Sequence, residues 1–302
     1  MQRIKNDIIY GCSNSLLNSK NADTKILDVA IDCGINTFDL ARVYGNGNCE
    51  KNFGKWLKGQ NREEIFVETK CCHPRLFFHR VNRKSAIEDV KRSLDAFCTN
   101  YVDLVLLHRD DKHVDVERVV DFMNEIVHLK YAKSIGVSNW SIERIQSAHE
   151  YAKKFNLVPF KVASSHYSLA IQQGDPYGMG CNSFSGETDD YVRKWCSEND
   201  VAIWGYSALA GGLFSGKFHD DFARLSVCAK RGYLCSENVE KLRKCEILAA
   251  KKNCTVAQIS LAWSLCRGVR PILTTTSASN LIENAKSIDV TLSDEDIAFL
   301  KK

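Results

Sequence analysis

Four side chains would carry chemistry if the chain brought them together: Asp39, Tyr44, Lys70 and His108. A tyrosine hydroxyl has an ordinary pKa of about 10 and is a poor proton donor near neutrality. A lysine ammonium within roughly 4–6 Å favours the phenolate and is expected to lower that value, so that Tyr44 becomes a usable acid. Asp39, paired with Lys70, would keep the lysine charged and in place, because an unpaired buried ammonium is costly. His108, at the end of an apolar run, would hydrogen-bond a carbonyl oxygen and stabilise charge developing on it. The four together suit reduction of a carbonyl. Singly, each is more often a structural ion pair or a satisfied histidine than a catalyst. Their placement at and after three successive strand ends reverses that reading.

The elements that must position them recur as a rhythm. Eight β-rich runs, IIYGC (8–12), INTFD (35–39), EIFVETK (64–70), VDLVLLH (102–108), AKSIGVS (132–138), KVASSHYS (161–168), VAIWGYS (201–207) and VRPIL (269–273), alternate with longer segments. Those segments, such as RKSAIEDVKRSLDAF and VERVVDFMNEIVHLK, space apolar residues as one-sided helices do. Ser141, Ser85 and the Ser293-x-x-Asp296 box read as helix starts. An α/β alternation of this order closes into a (β/α)8 barrel, here expected as one domain over residues 1–302, since no linker or shift of composition divides it. Polar residues at the C-terminal strand ends then share one mouth, which gives Asp39, Lys70, His108, Ser138, Asn139, Ser164, Ser165 and His166 their weight. Two long connections, 169–186 and 208–237, follow strands at that face and are expected to shape a pocket.

Composition narrows the function classes. With 44% hydrophobic residues and 4 prolines in 302, the chain can bury a large core and is no disordered polymer. A formal net charge of +4 is too small to make nucleic acid or an anionic membrane the first expected partner. The N-terminus lacks an apolar signal-peptide core and no window approaches the ~20 apolar residues of a spanning helix. A cytoplasmic protein is expected. Its 13 scattered cysteines, with no CxxC pair, read as small buried side chains and idle thiols, and Cys71-Cys72-His73 lacks the second cluster that a metal shell needs. No metal is expected.

The segments GINTFDLARVYGNGNCEKNFGKWL, EIFVETK, SLDAFCTNYVDLVLLHRDD, KSIGVSNWS, GYSALAGGLFSGK and SNLIENAKSIDVTLSDEDIAFL resemble the aldo-keto reductases, from about residue 8 to residue 300. The resemblance extends to the sugar- and cyclitol-acting and channel-β-subunit-like branch. It implies a (β/α)8 barrel that binds NADPH, or NADH, across its C-terminal face and reduces aldehydes or ketones without a metal. It implies Tyr44 as general acid, Asp39 and Lys70 as the groups that tune it, and His108 as the group that orients the carbonyl. It also implies that Ser138 and Asn139 flank the nicotinamide carboxamide, that Tyr206 stacks on the ring, and that Asp39, Cys12 and Ser13 lie on the nicotinamide side. Ser207, Leu209 and Lys217 match the pyrophosphate segment, and Glu283 and Asn284 match the adenine contacts.

Three departures qualify the resemblance. Ser164 stands where the family usually has a glutamine holding the carboxamide, and Thr274, Thr276 and Asn280 stand where NADPH-preferring members often place a cation for the 2′-phosphate. Without that cation the preference over NADH should weaken. The family's N-terminal hairpin is missing or shortened.

Other readings remain. The run Gly211 to Lys217 fits the first seven positions of a phosphate-binding loop, but Phe218 offers no hydroxyl for magnesium. The fold also serves cofactor-sensing regulatory subunits, and the same centre run backwards is a polyol dehydrogenase. The polar groups Arg109, Asp110, Asp111, Lys112, Gln172, Gln173, Asp175, Tyr177 and Asn182 suit a sugar or cyclitol, or else a solvated loop. The expected partner is a small-molecule carbonyl or polyol; oligomeric state is left open.

Overall fold

The computed structural model describes residues 6–75, 78–178, 180–186, 189–218 and 221–301. Eight strands appear at the eight expected runs: β1 Ile9–Gly11, β2 Thr37–Asp39, β3 Phe66–Cys71, β4 Val102–Leu107, β5 Ala132–Ser138, β6 Val162–His166, β7 Ala202–Tyr206 and β8 Val269–Leu273. They are parallel and close into a barrel in chain order. β4 is buried at every residue, which explains why it is apolar but for Asp103, whose charge is paired with Arg62: a parallel strand is covered on both faces.

Contacts group the chain into two compact units. The first holds residues 1–164 with 274–278, the second 165–273 with 279–302. The first unit's core is aromatic: Phe38 meets Tyr10, Phe53 and Trp56 at centroid distances of 6.2, 5.2 and 5.3 Å. The helix Arg83–Phe97 shows how sequence builds it. Asn82 accepts the Ser85 backbone N–H and starts the helix, and Ala86, Val90, Leu94 and Phe97 form its buried stripe. Each large side chain so buried contributes roughly 1.5–3 kcal/mol. Ser85, expected as the cap, is instead the residue that is capped, because the asparagine three positions earlier has the free carbonyl oxygen. The helix Asn48–Leu57 comes close enough that a Cβ on Gly54 would lie 2.0 Å from the Ala96 carbonyl oxygen.

In the second unit, Tyr167 stacks on Trp263 at 5.3 Å and donates a hydrogen bond from its hydroxyl to Asp189 at 2.7 Å, while Arg267 binds the same carboxylate. The 208–237 connection is not bare loop: it carries the helix Val227–Tyr233. The run from Gly211 enters a short 3-10 turn, Ala210–Ser215, rather than the helix a phosphate-binding loop would open. Ser293 and Asp296 cap each other's backbone N–H, as the box predicts. The cysteines are free thiols. Among the described residues no helix is long and apolar enough to cross a membrane, and no group of three or more His, Cys, Asp or Glu is arranged for a metal ion. Residues 1–5, where an N-terminal hairpin would begin, lie outside the described part.

Candidate active site

β2 delivers Asp39, β3 delivers Lys70 two residues beyond Glu68, the register partner of Asp39, and the ammonium sits 2.5 Å from Asp39 Oδ1. Both are buried. The chain then leaves β2 and turns back on itself through Ala41, whose carbonyl accepts the Tyr44 N–H at 2.9 Å. The turn is held by three left-handed residues, Gly45, Asn46 and Gly47, at φ of 56°, 53° and 91°. At Gly47 a Cβ would fall 2.3 Å from Arg42 Nη1, and Arg42 is itself tied at 2.8 Å to the fully buried Glu50. The turn places the Tyr44 hydroxyl 3.4 Å from Asp39 Oδ2, with Lys70 Nζ 5.1 Å from the ring centre. His108 follows β4, anchored by its N–H to the Cys71 carbonyl at 2.9 Å, and presents its ring edge-on to Tyr44 at 6.0 Å. The four expected residues are thus together.

The sequence reading missed Glu68, and weighed His73 only as a metal ligand and Arg109 only among the polar groups near the mouth. Glu68, two residues before Lys70 on β3, shares its face and is fully buried, with Oε2 3.2 Å from Lys70 Nζ and Oε1 without a partner among the described residues. With Asp39, the Leu40 carbonyl at 2.8 Å and Glu68, the three N–H donors of Lys70 are all engaged. His73 lies 4.7 Å from the His108 ring. Arg109 is buried beside His108.

These contacts correct the expectation for Tyr44. Burial pushes its hydroxyl above the ordinary phenol value and the Asp39 charge pushes it further; Lys70 pulls it down, as expected, but is outweighed. Tyr44 is therefore a protonated phenol at neutral pH, not an unusually acidic one. Burial alone would lower the Lys70 ammonium, but Asp39 and Glu68 outweigh it and hold the group charged. Burial, only partly offset by the Lys70 ammonium, raises Glu68 well above the usual carboxylate range, aided by the Asp39 charge. His108 is pushed well below 6.5 by burial first and then by the Lys70, His73 and Arg109 charges. It is a neutral imidazole, with one N–H to give and one lone pair to accept.

The remaining expected residues fall as follows. In the first unit Asn139, at φ 63°, donates to the His108 carbonyl at 3.3 Å and to Ser138 Oγ at 2.9 Å, and its own N–H goes to the Ser164 carbonyl at 2.9 Å. Ser164 Oγ is sealed and has no partner among the described residues. Cys12 is buried and gives its N–H to the Asp39 carbonyl at 2.9 Å, while Ser13 is exposed. Thr274 and Thr276 are exposed, and Thr275 between them accepts the Tyr10 hydroxyl at 2.7 Å.

In the second unit Tyr206 ends β7 half-buried, with its ring 6.2 Å from that of Tyr177. Ser207 Oγ is 2.6 Å from the Tyr177 hydroxyl. Leu209 leads into the glycine turn and Lys217 is exposed after it. Asn280, Glu283 and Asn284 share the helix Ala278–Ala285, with the Glu283 carbonyl held by Gln258 Nε2 at 2.7 Å.

Much of the polar loop set is already engaged. Asp175 accepts three backbone N–H groups, from Tyr177, Gly180 and Cys181, and Asp110 pairs with Arg144 at 2.9 Å.

Fit to a nicotinamide dinucleotide rests on what these residues leave unpaired. In the first unit, an unsatisfied buried hydroxyl at Ser164 offers a partner to an amide. The residues fit the group.

A sequence model of the aldo/keto reductase family matches residues 8–302. The chain is 29% identical over 288 residues, 87% of its length and 78% of the other's, to a protein of Schizosaccharomyces pombe named as a putative voltage-gated potassium channel subunit beta. It aligns with the structure of a thermostable aldo-keto reductase solved with the inhibitor epalrestat at a TM-score of 0.73, covering 98% of this chain and 94% of that one. At 22% identity that likeness speaks to the fold. Barrel order and a family match running almost end to end lead to one assignment: the chain belongs to the aldo/keto reductase family.

Proposed function

We propose that this chain is an NAD(P)H-dependent oxidoreductase that reduces an aldehyde or ketone to an alcohol, acting through residues 1–302 as one barrel domain on a small-molecule substrate in the cytoplasm. The observation that carries the reading is the convergence of Asp39, Tyr44, Lys70 and His108. The reduced nicotinamide supplies a hydride when bound. Tyr44 gives its hydroxyl proton to the carbonyl oxygen as negative charge develops there. Its raised pKa suits this role, because the group must hold its proton until a stronger base forms beside it. Lys70 then stabilises the phenolate left behind, and Asp39 keeps Lys70 charged and fixed. His108, neutral, donates one hydrogen bond to the same oxygen.

Ser138, Asn139 and Ser164 would hold the carboxamide, and Tyr206 would lie against the ring. Asp39, Cys12 and Ser13 would border it. Ser207, Leu209 and Lys217 would take the pyrophosphate, Thr274, Thr276 and Asn280 the ribose end, and Glu283 and Asn284 the adenine. With hydroxyls and an amide in place of a cation at the ribose end, the chain is proposed to accept NADH as well as NADPH.

Likeness to a channel β subunit favours a second reading, a cofactor-binding regulatory subunit. Titrating the protein's fluorescence with NADPH and NADH, then following cofactor oxidation with simple aldehydes, aldoses and keto-sugars, separates the two. Binding with turnover supports the reductase; a polyol oxidised faster than any carbonyl is reduced reverses its direction. Binding with no turnover on any carbonyl or polyol supports the regulatory subunit, and no binding refutes both.

A further inference from the structure

Arg109 is 9% exposed, immediately after His108 at the end of β4. Its guanidinium makes no hydrogen bond or ion pair among the described residues, and its Nε is sealed with no acceptor. The carboxylates that follow it do not relieve the charge. Asp110 is 2.9 Å from Arg144 Nε, and Asp111 accepts the His113 N–H at 3.1 Å and faces His79 Nδ1 at 3.5 Å. The other deeply buried cations are treated differently. Lys70 holds two carboxylates, and Arg267, with its side chain 6% exposed, holds Asp189. A buried cation without a counter-charge is costly, and a fold keeps one where a ligand completes the pair.

The position narrows the ligand. His108 and His73, rings 4.7 Å apart, both feel the Arg109 charge, which adds to burial in keeping them neutral. The uncompensated charge therefore stands beside the group assigned to the carbonyl oxygen. A planar guanidinium with parallel N–H donors matches a carboxylate in two-pronged fashion, and a single positive charge balances a single negative one.

We infer that Arg109 is the anion-recognising residue of the substrate pocket, and that the preferred substrate is an aldehyde or ketone bearing a carboxylate. This rests on the reductase reading above and replaces an uncharged polyol with an oxo-acid as the substrate class.

The test compares 3- and 4-formylbenzoate with the matching formylbenzamides, which have nearly the same shape and no charge. Steady-state kcat/KM is measured with NADPH, and equilibrium binding is measured by calorimetry with NADP+ present, where no reduction occurs. The acid should be preferred to the amide, and Arg109→Met should reduce that preference roughly 10- to 100-fold in both measurements. Arg109→Lys, which keeps charge but loses the fork, should fall between.

The Met variant should also melt at the same temperature as the native protein or higher, since it removes an unpaired buried charge. An acid-to-amide ratio that is unchanged by Arg109→Met, or no preference in the native protein, overturns the inference. So does a tenfold loss of NADPH affinity with the ratio intact, which would give Arg109 to the cofactor. If neither compound is reduced yet the acid still binds through Arg109, the reductase reading falls and the anion site stands.

Discussion

Replacing Lys70 with methionine removes the one cation between two buried carboxyl groups. Lys70 Nζ lies 2.5 Å from Asp39, 3.2 Å from Glu68 and 2.8 Å from the Leu40 carbonyl, all sealed from solvent. Methionine fills most of the space and supplies none of the charge. Breaking a buried pair from one side costs about 3–5 kcal/mol, a large share of the roughly 5–15 kcal/mol by which a domain is stable. The loss should depend on pH. Glu68, already raised by burial, loses in the variant the ammonium that pulls it down, so stability is full below its unfolded value of about 4 and is lost as pH rises through the folded value. The deficit at pH 8 should therefore shrink at pH 5. Urea unfolding followed by tryptophan fluorescence reads this as a lowered midpoint. Adding Asp39→Asn to Lys70→Met should recover about half of the loss, because removing both partners is far cheaper than stranding one. A single variant within about 1 kcal/mol of the native protein, or a deficit equal at the two pH values, would refute the reasoning.

Three further perturbations probe neighbouring parts. Glu68→Gln keeps an acceptor for Lys70 but removes the titration; since burial raises the Glu68 pKa in the fold, its cost is absent below about pH 4 and grows as pH rises. The variant's urea midpoint should exceed the native one at pH 8 and match it at pH 4. His166, buried and 2.8 Å from Ser183 Oγ, is pushed down by burial to about 3. Its contribution is complete above about pH 6.5 and is lost as pH falls toward that value, about 2 kcal/mol by pH 5. His166→Gln should flatten the acid limb of thermal stability by that amount. Gly47→Ala places a Cβ against Arg42 at φ 91°; it should cost about 1–3 kcal/mol and depress turnover more than cofactor affinity, read by melting and by fluorescence titration.

The strand rhythm was legible because β-rich runs and helical periodicity differ along this chain: β5 and β8 occupy the residues the pattern marks. Strand-end residues Asp39, Lys70 and His108 were legible for the same reason. Glu68 had a signal that went unused. Period-two alternation on β3 puts it on the Lys70 face, so EIFVETK carries two charged side chains inward. His73 was weighed only as a metal ligand with Cys71 and Cys72, and its place beside His108 depends on how the chain leaves β3. The direction of the Tyr44 shift was not legible, because three opposing influences of burial, Asp39 and Lys70 must be summed at real distances. Loop residues misled in the opposite way: Asp175 is used up on its own loop's backbone, which composition does not reveal.

The proton donor is the centre of the account, and Tyr44→Phe addresses it by deleting one oxygen atom. Cofactor oxidation by the purified variant, on whichever carbonyl the native protein reduces best, should fall about 10²- to 10⁴-fold while NADPH binding by fluorescence is retained. Turnover within a few-fold of the native rate would contradict the assignment of Tyr44 as the acid.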